Sequence, residues 1–543
     1  MPVLSFLRRH RVLCIVLALH ALAFALLDTV ISPHPDYIDH WMQSRVLAFG
    51  YYEHPPMIAW VLRALTALVG DSEPALEGIA IFLNLAILAG MYAVGASVFG
   101  ARAAAFGLVA AETTPFFIGG TPLVHIDQPL LLFWLAALGA LLRYQRTGRA
   151  RWLLLMGMLA GLGALSKYTM VLFYLSALVF IVAVPGRRRE LLNPYIYLAG
   201  VLSLLVFSPV LVWNAQHEWV SILFQLRKGA GGAAVIPGKH LAEFTLGYVF
   251  LFSPVMVAAG AAWFWRRWRG GNLSGGLRAA GLSTRGLSTG GLSTRGLSTS
   301  GLSTSGLSTG GLSTGGLSTG GLSTSGLRDD ASTLLLAMWI TPLVFFSLAM
   351  IPGSFPDPQY VNEGFLSFFI LLGRELEQRW AAQRTRMLRL YAGSAAITLL
   401  LLAVFVGQTY RPFLSIGPGA DPTRQIVGWD ETGRQVSALL RDQGLPPPQY
   451  VISFYYPLAA QFSLHLPSRP YTYSLQREAR NEWADKTRIG PDNSIVVCER
   501  DECAWMRDLV PKRLGHSIAE VGTVNTVLWG TLRRTVTVYR LLP

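Results

Sequence analysis

Long apolar segments alternate with short polar loops over the first 408 residues of the chain. Each segment approaches the roughly 20 residues that an upright helix needs to cross a bilayer. The segments lie at 11–31, 75–98, 102–120, 127–144, 152–166, 169–185, 194–214, 241–264, 332–351, 359–374 and 388–408. The pattern predicts a polytopic α-helical membrane protein with about eleven transmembrane helices.

A low-complexity tract at 270–330 interrupts this pattern. Its pentad Gly-Leu-Ser-Thr-(Gly/Ser/Arg) recurs about ten times, as in 301–305. One leucine in five matches neither the helical nor the strand period, and glycine-rich backbone opposes folding through its entropy. We expect a disordered cytoplasmic loop without a catalytic role, the alternative being a functional tether.

The pattern changes again after residue 408. An amphipathic helix is indicated from Gly428 to Leu440 and a short helix at 457–464. Strands are indicated at 450–455, 494–498 and 534–541. We therefore predict a small α/β domain at 409–543. It carries neither a glycine-rich phosphate loop nor a nucleophile elbow, so we expect it to shape a site rather than to perform the chemistry.

Composition supports the membrane assignment. Hydrophobic residues make up 52% of the 543 residues, charged residues 14%, and the mean hydropathy is +0.42, whereas soluble domains carry about 25% charged residues. The net charge of +14 comes largely from arginine clusters between apolar segments. All of these clusters fall on one side of the membrane if the N-terminus is cytoplasmic. We therefore expect no nucleic-acid partner, a multi-pass protein of the bacterial inner membrane, and a periplasmic C-terminal domain.

Three cysteines are too few for a disulfide scaffold. Cys14 lies within the first apolar segment, while Cys498 and Cys503 lie close together in the C-terminal region. A local disulfide between these two is plausible if the region is outside the cytoplasm. Zinc is not expected there, because the sequence places no histidine near the two thiols.

The polar stretch at 36–60 follows the first apolar segment. If a helix runs from Asp36 to Phe49, then Asp36, Asp39, His40 and Gln43 share one face. Such a helix could lie at the membrane surface with chemistry on its wet side. Solvated charges in an external loop are the alternative.

Other polar positions lie at predicted outer ends of helices. Asp127 begins a segment, where it could be functional or could cap the helix. Lys167 could bind a lipid phosphate or extend to the interface. The same side carries further charged, imidazole and aromatic groups: His217, Arg227, Lys228 and the loop at 355–360. Carboxylates with aromatics suit sugars and bases suit phosphate, which together suggest sugar transfer from a lipid-phosphate donor.

A lipid-linked sugar transporter or flippase is the alternative of another class. Transporters commonly place ionisable residues near mid-membrane and show repeated halves. Here the ionisable residues lie at segment ends and the two halves do not repeat. The pattern therefore favours an enzyme.

Several strings, in this order, resemble the bacterial GT-C glycosyltransferases related to protein O-mannosyltransferases and lipid A aminoarabinose transferases (families 39 and 83). The matching strings are 36–41, Gly-Tyr-Tyr-Glu-His-Pro-Pro at 50–56, 119–121 with 127–134, Leu-Ser-Lys-Tyr-Thr at 165–169, and 213–219. The resemblance covers roughly 11–375 without the tract and, more weakly, the C-terminal domain. It implies an inverting transferase that uses a polyprenyl-phosphate sugar.

The resemblance also implies roles for individual residues. Asp36 would be the catalytic base, and Asp127 would be a second catalytic residue that binds sugar or acceptor. Contact with the donor phosphate or lipid is expected of His54, Lys167 and Arg227. Contact with substrate is expected of Asp39, Tyr52, Glu53 and His217. The resemblance implies no certain cofactor, and the candidate is a divalent cation that Glu53 could hold.

The sequence departs from the family pattern in three places. Tyr37 stands where many relatives have a second acid, which makes Asp39 a rival base. His125 and Ile126 precede Asp127 where relatives have Thr-Pro, and a His-Trp pair is absent near Phe355. These changes bear on the substrates. The expected acceptor is lipid A, lipopolysaccharide core or another envelope glycan, and the alternative is a protein, as for O-mannosyltransferases.

Overall fold

The computed structural model describes residues 9–119, 126–230, 238–269, 324–350, 357–414, 421–476, 481, 486–499 and 502–543. Its N-terminal part is helical. The helices are α1 (Arg11–Leu27), α2 (Pro35–Arg45), α3 (Met57–Val69), α4 (Glu73–Phe99), α5 (Ala101–Glu112), α6 (Pro115–Gly119), α7 (Asp127–Thr147), α8 (Ala150–Ala164), α9 (Val171–Ala183), α10 (Pro194–Gln216), α11 (Val220–Ala230), α12 (Lys239–Leu251), α13 (Pro254–Arg269), α14 (Thr324–Ala349) and α15 (Asn362–Tyr410).

The long apolar helices make this a multi-pass membrane protein. Within the described ranges, four helical segments are long and apolar enough to cross a bilayer: Glu73–Phe99, Pro194–Gln216, Asp329–Ala349 and Pro358–Tyr410. The pair α12 and α13, bent by 101°, adds a fifth if it counts as one broken span. The predicted segment 127–144 corresponds to the 21-residue helix α7 and the other segments to shorter helices, so the number eleven stays a prediction.

Four predicted segments have different boundaries in the structure. The segment 102–120 is divided into α5 and α6 at Thr113–Thr114, and 241–264 is divided at Phe252–Ser253. Conversely, the segments 359–374 and 388–408 extend toward each other within α15, whose two helical parts meet at a kink at Gln383. The intervening residues are mostly Glu, Leu, Gln, Arg and Ala, which are strong helix formers and continue the helix through a basic stretch.

Small residues allow close helix packing in the N-terminal part. A Cβ added at Gly157 of α8 would lie 2.3 Å from the Ala199 carbonyl oxygen of α10, and one added at Gly107 of α5 would lie 2.5 Å from the Phe369 carbonyl oxygen of α15. Such small-residue contacts are typical of membrane helix interfaces, where backbones approach closely. They fix α8 against α10 and α5 against α15.

The structure shortens the predicted disordered tract. Helix α14 begins at Thr324, so the last seven residues of the tract at 270–330 are helical rather than disordered. Residues 270–323 lie outside the described residues, and the expectation of a passive loop there stays a prediction.

The described residues of the C-terminal part form three α-helices and one five-stranded sheet. The helices are α16 (Trp429–Asp442), α17 (Tyr456–His465) and α18 (Glu502–Leu514). The strands are β1 (Tyr450–Ser453), β2 (Tyr471–Ser474), β3 (Ser494–Glu499), β4 (Ile518–Leu528) and β5 (Thr531–Leu541). The sheet order is β2-β1-β3-β5-β4. Strands β2, β1 and β3 are parallel, and β5 is antiparallel to both of its neighbours.

The sequence pattern locates α16, α17, β1, β3 and β5 but misses β2, β4 and α18. Strand β2 is only four residues long, and β4 is an edge strand with one fully buried side chain. Neither therefore shows the alternation that marks a half-buried strand. Cys498 at the end of β3 and Cys503 in α18 form the disulfide that their proximity suggested.

The C-terminal part packs directly on the helical part. The Gln461 side-chain amide of α17 donates to the Pro33 carbonyl oxygen at 3.0 Å, and the Ser32 amide donates to the Ile426 carbonyl oxygen at 2.7 Å. The Arg533 guanidinium of β5 donates to the Gln408 carbonyl oxygen at 3.3 Å. These bonds place α17 over the start of α2.

Candidate active site

The start of α2 presents Asp36 as a partly exposed carboxylate. His34 is the N-cap residue, and its Nδ1 accepts from the Asp36 amide at 3.3 Å. Asp36 lies in the first helical turn, where a negative charge is stabilised by the unpaired amides and the helix dipole. Its side chain is 40% exposed and accepts a hydrogen bond from the Tyr456 hydroxyl of α17. Asp36 is therefore oriented but accessible.

His34 is kept neutral beside this carboxylate. Its Nδ1 lies 3.8 Å from Asp36 Oδ2. Burial lowers the pKa of His34, and this outweighs the opposite effects of the Asp36 charge and a hydrogen bond with Gln425. A neutral imidazole can accept the amide hydrogen bond that caps α2.

Residues 37–44 of α2 are buried, so the prediction of a solvent-facing polar side is wrong beyond Asp36. Asp39, His40 and Gln43 are at most 4% exposed, because α3, α4 and α17 cover the helix with an apolar cluster that includes Ala460. Gln43 donates to Asp39 Oδ2 at 3.4 Å and bonds His40 Nδ1 at 3.0 Å through its Oε1. The helix ends at Arg45, not Phe49.

The predicted Glu53-His54-Pro55-Pro56 turn contacts both α2 and the segment that carries Lys167. The His54 ring lies 5.9 Å from the His40 ring. At the end of the turn, the Met57 amide donates to the Leu165 carbonyl oxygen at 2.9 Å. The turn therefore lies between α2 and residues 165–168.

Helices α10 and α11 pack on the other side of the turn. The Gln225 amide donates to the Glu53 carbonyl oxygen at 2.6 Å, and the Tyr52 ring lies 5.0 Å from the Phe224 ring. A Cβ added at Gly50 would approach the Trp213 ring to 2.5 Å. The matching strings at 50–56 and 213–219 thus contact each other, and glycine is required for the close approach.

Asp127 and Lys167 form a buried ion pair. Lys167 Nζ donates to Asp127 Oδ1 at 2.7 Å, and the two side chains are only 10% and 8% exposed. Asn362 of α15 donates to Asp127 Oδ2 at 3.3 Å. Glu363, 1% exposed, also interacts with the Lys167 charge. Lys167 therefore faces two buried carboxylates.

The ion pair settles two alternatives left by the sequence. Asp127 does not cap its helix, because Ile126 occupies the N-cap position and Asp127 pairs with Lys167. Lys167 does not extend to the membrane interface, because its side chain is buried against Asp127. Tyr360, whose ring centroid is 5.1 Å from Lys167 Nζ, interacts electrostatically with both Asp127 and Glu53. The turn and the ion pair are therefore neighbours.

The other predicted residues are less central. His217 stacks on Trp213 at 4.1 Å and bonds its carbonyl oxygen through Nδ1. Arg227 is exposed on α11. Among the described residues, the cluster of three potential metal ligands does not include Glu53, so a cation at Glu53 stays a prediction. Three further parts of the prediction lie outside the described residues: the Lys228 side chain, residues 120–125 with His125, and residues 351–356 with Phe355.

Sequence reasoning missed Tyr456, Asn362 and Glu363, whereas Tyr360 belongs to the loop at 355–360 that the sequence marked. The adjacent Asn362 and Glu363 are polar within an otherwise apolar segment, a signal that could have marked them. Nothing in the sequence around Tyr456 distinguishes it from the other tyrosines of the C-terminal part. Its contact with Asp36 links positions 420 residues apart.

Known proteins resemble the chain over part of its sequence and in its fold. Residues 53–213 match the family model described as dolichyl-phosphate-mannose-protein mannosyltransferase. Crystal structures of ArnT from Cupriavidus metallidurans, in the apo state and bound to undecaprenyl phosphate, resemble the chain with TM-scores of 0.59 and 0.58. Both are 14% identical to it, over 97% of each chain. The chain therefore shares the fold of these two structures.

Two curated Rhizobium johnstonii proteins are also similar to this chain. The lipid A galacturonosyltransferase RgtD is 28% identical over 212 residues, which cover 36% of this chain and 43% of that protein. The lipopolysaccharide core galacturonosyltransferase RgtA is 29% identical over 245 residues, which cover 42% and 48%. The chain thus spans less than half the length of either relative. The family match contains Glu53, Asp127 and Lys167 but begins after Asp36.

Proposed function

We propose that the chain is an inverting glycosyltransferase. It moves a sugar from a polyprenyl-phosphate donor to lipid A, lipopolysaccharide core or another envelope glycan. The observation that carries this proposal is the accessible Asp36 carboxylate, connected through the turn at 50–56 to the buried Asp127–Lys167 pair. The names of the two similar galacturonosyltransferases support the acceptor class, and the undecaprenyl phosphate bound to ArnT supports the donor class.

Asp36 acts as the general base. It accepts the proton of an acceptor hydroxyl as the hydroxyl oxygen attacks the anomeric carbon. The bond from that carbon to the phosphate oxygen breaks, polyprenyl phosphate leaves, and the configuration inverts. The first helical turn stabilises a negative charge, which suits the Asp36 carboxylate to this role. The Tyr456 hydroxyl occupies one carboxylate oxygen, which orients the other toward the acceptor.

Lys167 supplies positive charge to the donor phosphate. In the structure Asp127 neutralises this charge at 2.7 Å, which keeps a buried lysine stable before the donor binds. A donor phosphate competes with Asp127 for the ammonium group, and His54 on the neighbouring turn contributes a second phosphate contact. Asp127, still bonded by Asn362, then becomes available to a sugar or acceptor hydroxyl. Stabilisation of the leaving phosphate is the expected gain.

The arginine clusters and the disulfide support a proposed orientation in the membrane. The clusters favour a cytoplasmic N-terminus, and the Cys498–Cys503 disulfide suits an oxidising compartment. We therefore place α2, Asp36 and the C-terminal part on the periplasmic side of the inner membrane.

The test compares Asp36→Asn with Asp39→Asn in a deletion strain. Lipid A and core oligosaccharide are analysed by mass spectrometry, and membrane levels of each variant are measured. Loss of one sugar mass in the deletion strain and with Asp36→Asn, but not with Asp39→Asn, supports the proposal. Full transfer by Asp36→Asn would refute the role of Asp36.

A protein acceptor is the second candidate, favoured by the description of the matching family model. It predicts a different outcome of the same experiment. The lipopolysaccharide masses would be unchanged in the deletion strain, whereas glycopeptides from the envelope fraction would lose a hexose. That result would reassign the acceptor.

A further inference from the structure

A second polar cluster lies where the C-terminal part meets the start of α4. Glu73 is the first residue of α4, Asp430 lies in the first turn of α16, and His465 is the last residue of α17. One ligand atom from each lies within 4.8 Å of the other two. The His465 side chain is 2% exposed, that of Glu73 20% and that of Asp430 66%.

The tautomer of His465 is fixed from outside this cluster. The Gln461 amide nitrogen donates to the carbonyl oxygens of Pro33 at 3.0 Å and Gln425 at 2.7 Å. Its Oε1 therefore faces His465 Nε2, at 3.1 Å. Because an amide oxygen only accepts, Nε2 must carry the proton. A neutral His465 consequently directs the lone pair of Nδ1 toward the two carboxylates.

Those three atoms repel each other unless a positive charge lies between them. His465 Nδ1 is 3.0 Å from Asp430 Oδ1 and 3.6 Å from Glu73 Oε2. In a tetrahedral zinc site, ligands about 2.1 Å from the ion are about 3.4 Å from one another. The two measured separations lie on either side of that value, and His with two carboxylates is a ligand set that zinc accepts.

Two further acidic side chains, Asp28 and Glu77, lie within electrostatic range of Glu73. Opposing charge comes from Arg469 near Glu73 and Arg434 near Asp430. A divalent cation would offset this carboxylate excess more completely than the single proton that His465 can take up.

We propose that Glu73, Asp430 and His465 form a binding site for a divalent cation of the zinc type, separate from the transfer site, which fastens the C-terminal part to α4. Gln461 acts as the outer partner that orients the histidine ligand, a common arrangement in metal sites. The fourth position would be filled by water. Because α17 carries Tyr456 at its first residue and His465 at its last, the cation also fixes the helix that orients Asp36.

The experiment measures zinc binding by the full-length protein in detergent. The protein is treated with EDTA, freed of chelator, incubated with zinc chloride and separated from free metal. Bound zinc is then quantified by mass spectrometry, and the thermal midpoint is followed by tryptophan fluorescence. We expect wild type to bind one equivalent more than His465→Gln or Asp430→Asn, and zinc to raise the midpoint only in wild type. Asp430 is largely exposed, so its variant keeps the fold even if the histidine variant does not.

Two further variants make the result specific. His516→Gln removes a histidine of the C-terminal part that bonds the Leu542 carbonyl oxygen, and it should bind zinc as wild type does. Glu53→Gln tests the cation predicted at the turn. Equal zinc content in wild type, His465→Gln and Asp430→Asn would overturn the proposal, as would zinc loss in Glu53→Gln alone. Neither readout depends on sugar transfer, so the outcome is independent of the proposed activity.

Discussion

Replacing Lys167 should destabilise the protein more than replacing Asp127, although the two residues form one ion pair. Lys167 interacts with two buried carboxylates, those of Asp127 and Glu363. Lys167→Met leaves both carboxylates buried together without this cation. Asp127→Asn leaves Lys167 with Glu363, and the new amide oxygen still accepts from the ammonium group. The two variants are expected to differ in stability because of Glu363, not because of the Asp127–Lys167 pair itself.

The structure allows a rough size for each effect. At 2.7 Å and an effective dielectric constant of 20, the gross attraction of the pair is roughly 6 kcal/mol. Desolvation offsets most of it, and removing one partner of a buried pair costs about 3–5 kcal/mol. We assign that cost to Lys167→Met. For Asp127→Asn we expect about 1–2 kcal/mol, the size of a weakened charged hydrogen bond.

Thermal unfolding in detergent, followed by tryptophan fluorescence, measures the order of the variants. The double variant should be less destabilised than the sum of the single variants, because it removes one of the two stranded carboxylates. Lys239→Met is the matched control. Its exposed pair with Glu243, at 3.7 Å, should contribute about 0–1 kcal/mol. An Asp127→Asn midpoint as low as that of Lys167→Met, or strict additivity, would refute the three-residue account.

Three other predictions use the same unfolding assay. Gly157→Ala should cost about 1–3 kcal/mol because its Cβ would meet the Ala199 carbonyl oxygen, whereas Gly139→Ala, with open space around it, should not destabilise. Because the pKa of His34 is lowered, its contribution to stability is present above pH 6.5 and is lost below it. His34→Asn, which can still cap α2, should therefore reduce the fall in thermal midpoint between pH 7 and pH 5. A fall as large as that of wild type would refute this prediction. Burial, with the nearby Glu499 charge, raises the pKa of Glu502 to about 7. The protein should therefore lose stability as the pH rises from 4.5 to 7, and Glu502→Gln should remove that loss. Equal changes of the thermal midpoint in wild type and Glu502→Gln would contradict this prediction.

Sequence reasoning succeeded where a single segment determines the outcome. Apolar periodicity placed most helices and three of the five strands, because the burial of one face produces a regular pattern of apolar residues within a single segment. It also identified Asp127 and Lys167 separately, since charged groups at the ends of apolar segments are costly without a role. Their pairing joins residues 40 positions apart and depends on how α7 and α8 pack.

The errors have a common physical origin. The pattern at 36–49 suggested a wet helical face, yet Asp39 and Gln43 satisfy each other inside the protein. Polar residues at helical spacing are compatible with either solvent or mutual hydrogen bonds, and only the covering elements decide between them. Here the cover includes α17, more than 400 residues later in the sequence. A local pattern contains no information about such a contact.

Helix α17 explains why the C-terminal part matters for a site whose predicted catalytic residues all lie elsewhere. The hydroxyl of its first residue, Tyr456, donates to the Asp36 carboxylate. Five residues later, the Gln461 side-chain amide donates to the Pro33 carbonyl oxygen. Its last residue, His465, faces Glu73 of α4. One ten-residue helix therefore contacts the chain before α2, the carboxylate at the start of α2, and the beginning of α4. Because a helix transmits displacement along its length as a rigid element, a shift of the C-terminal part would move the Tyr456 hydroxyl relative to Asp36. The C-terminal part is thus coupled to the geometry of the proposed base while supplying none of the groups that we propose to take up the proton or to bind the phosphate.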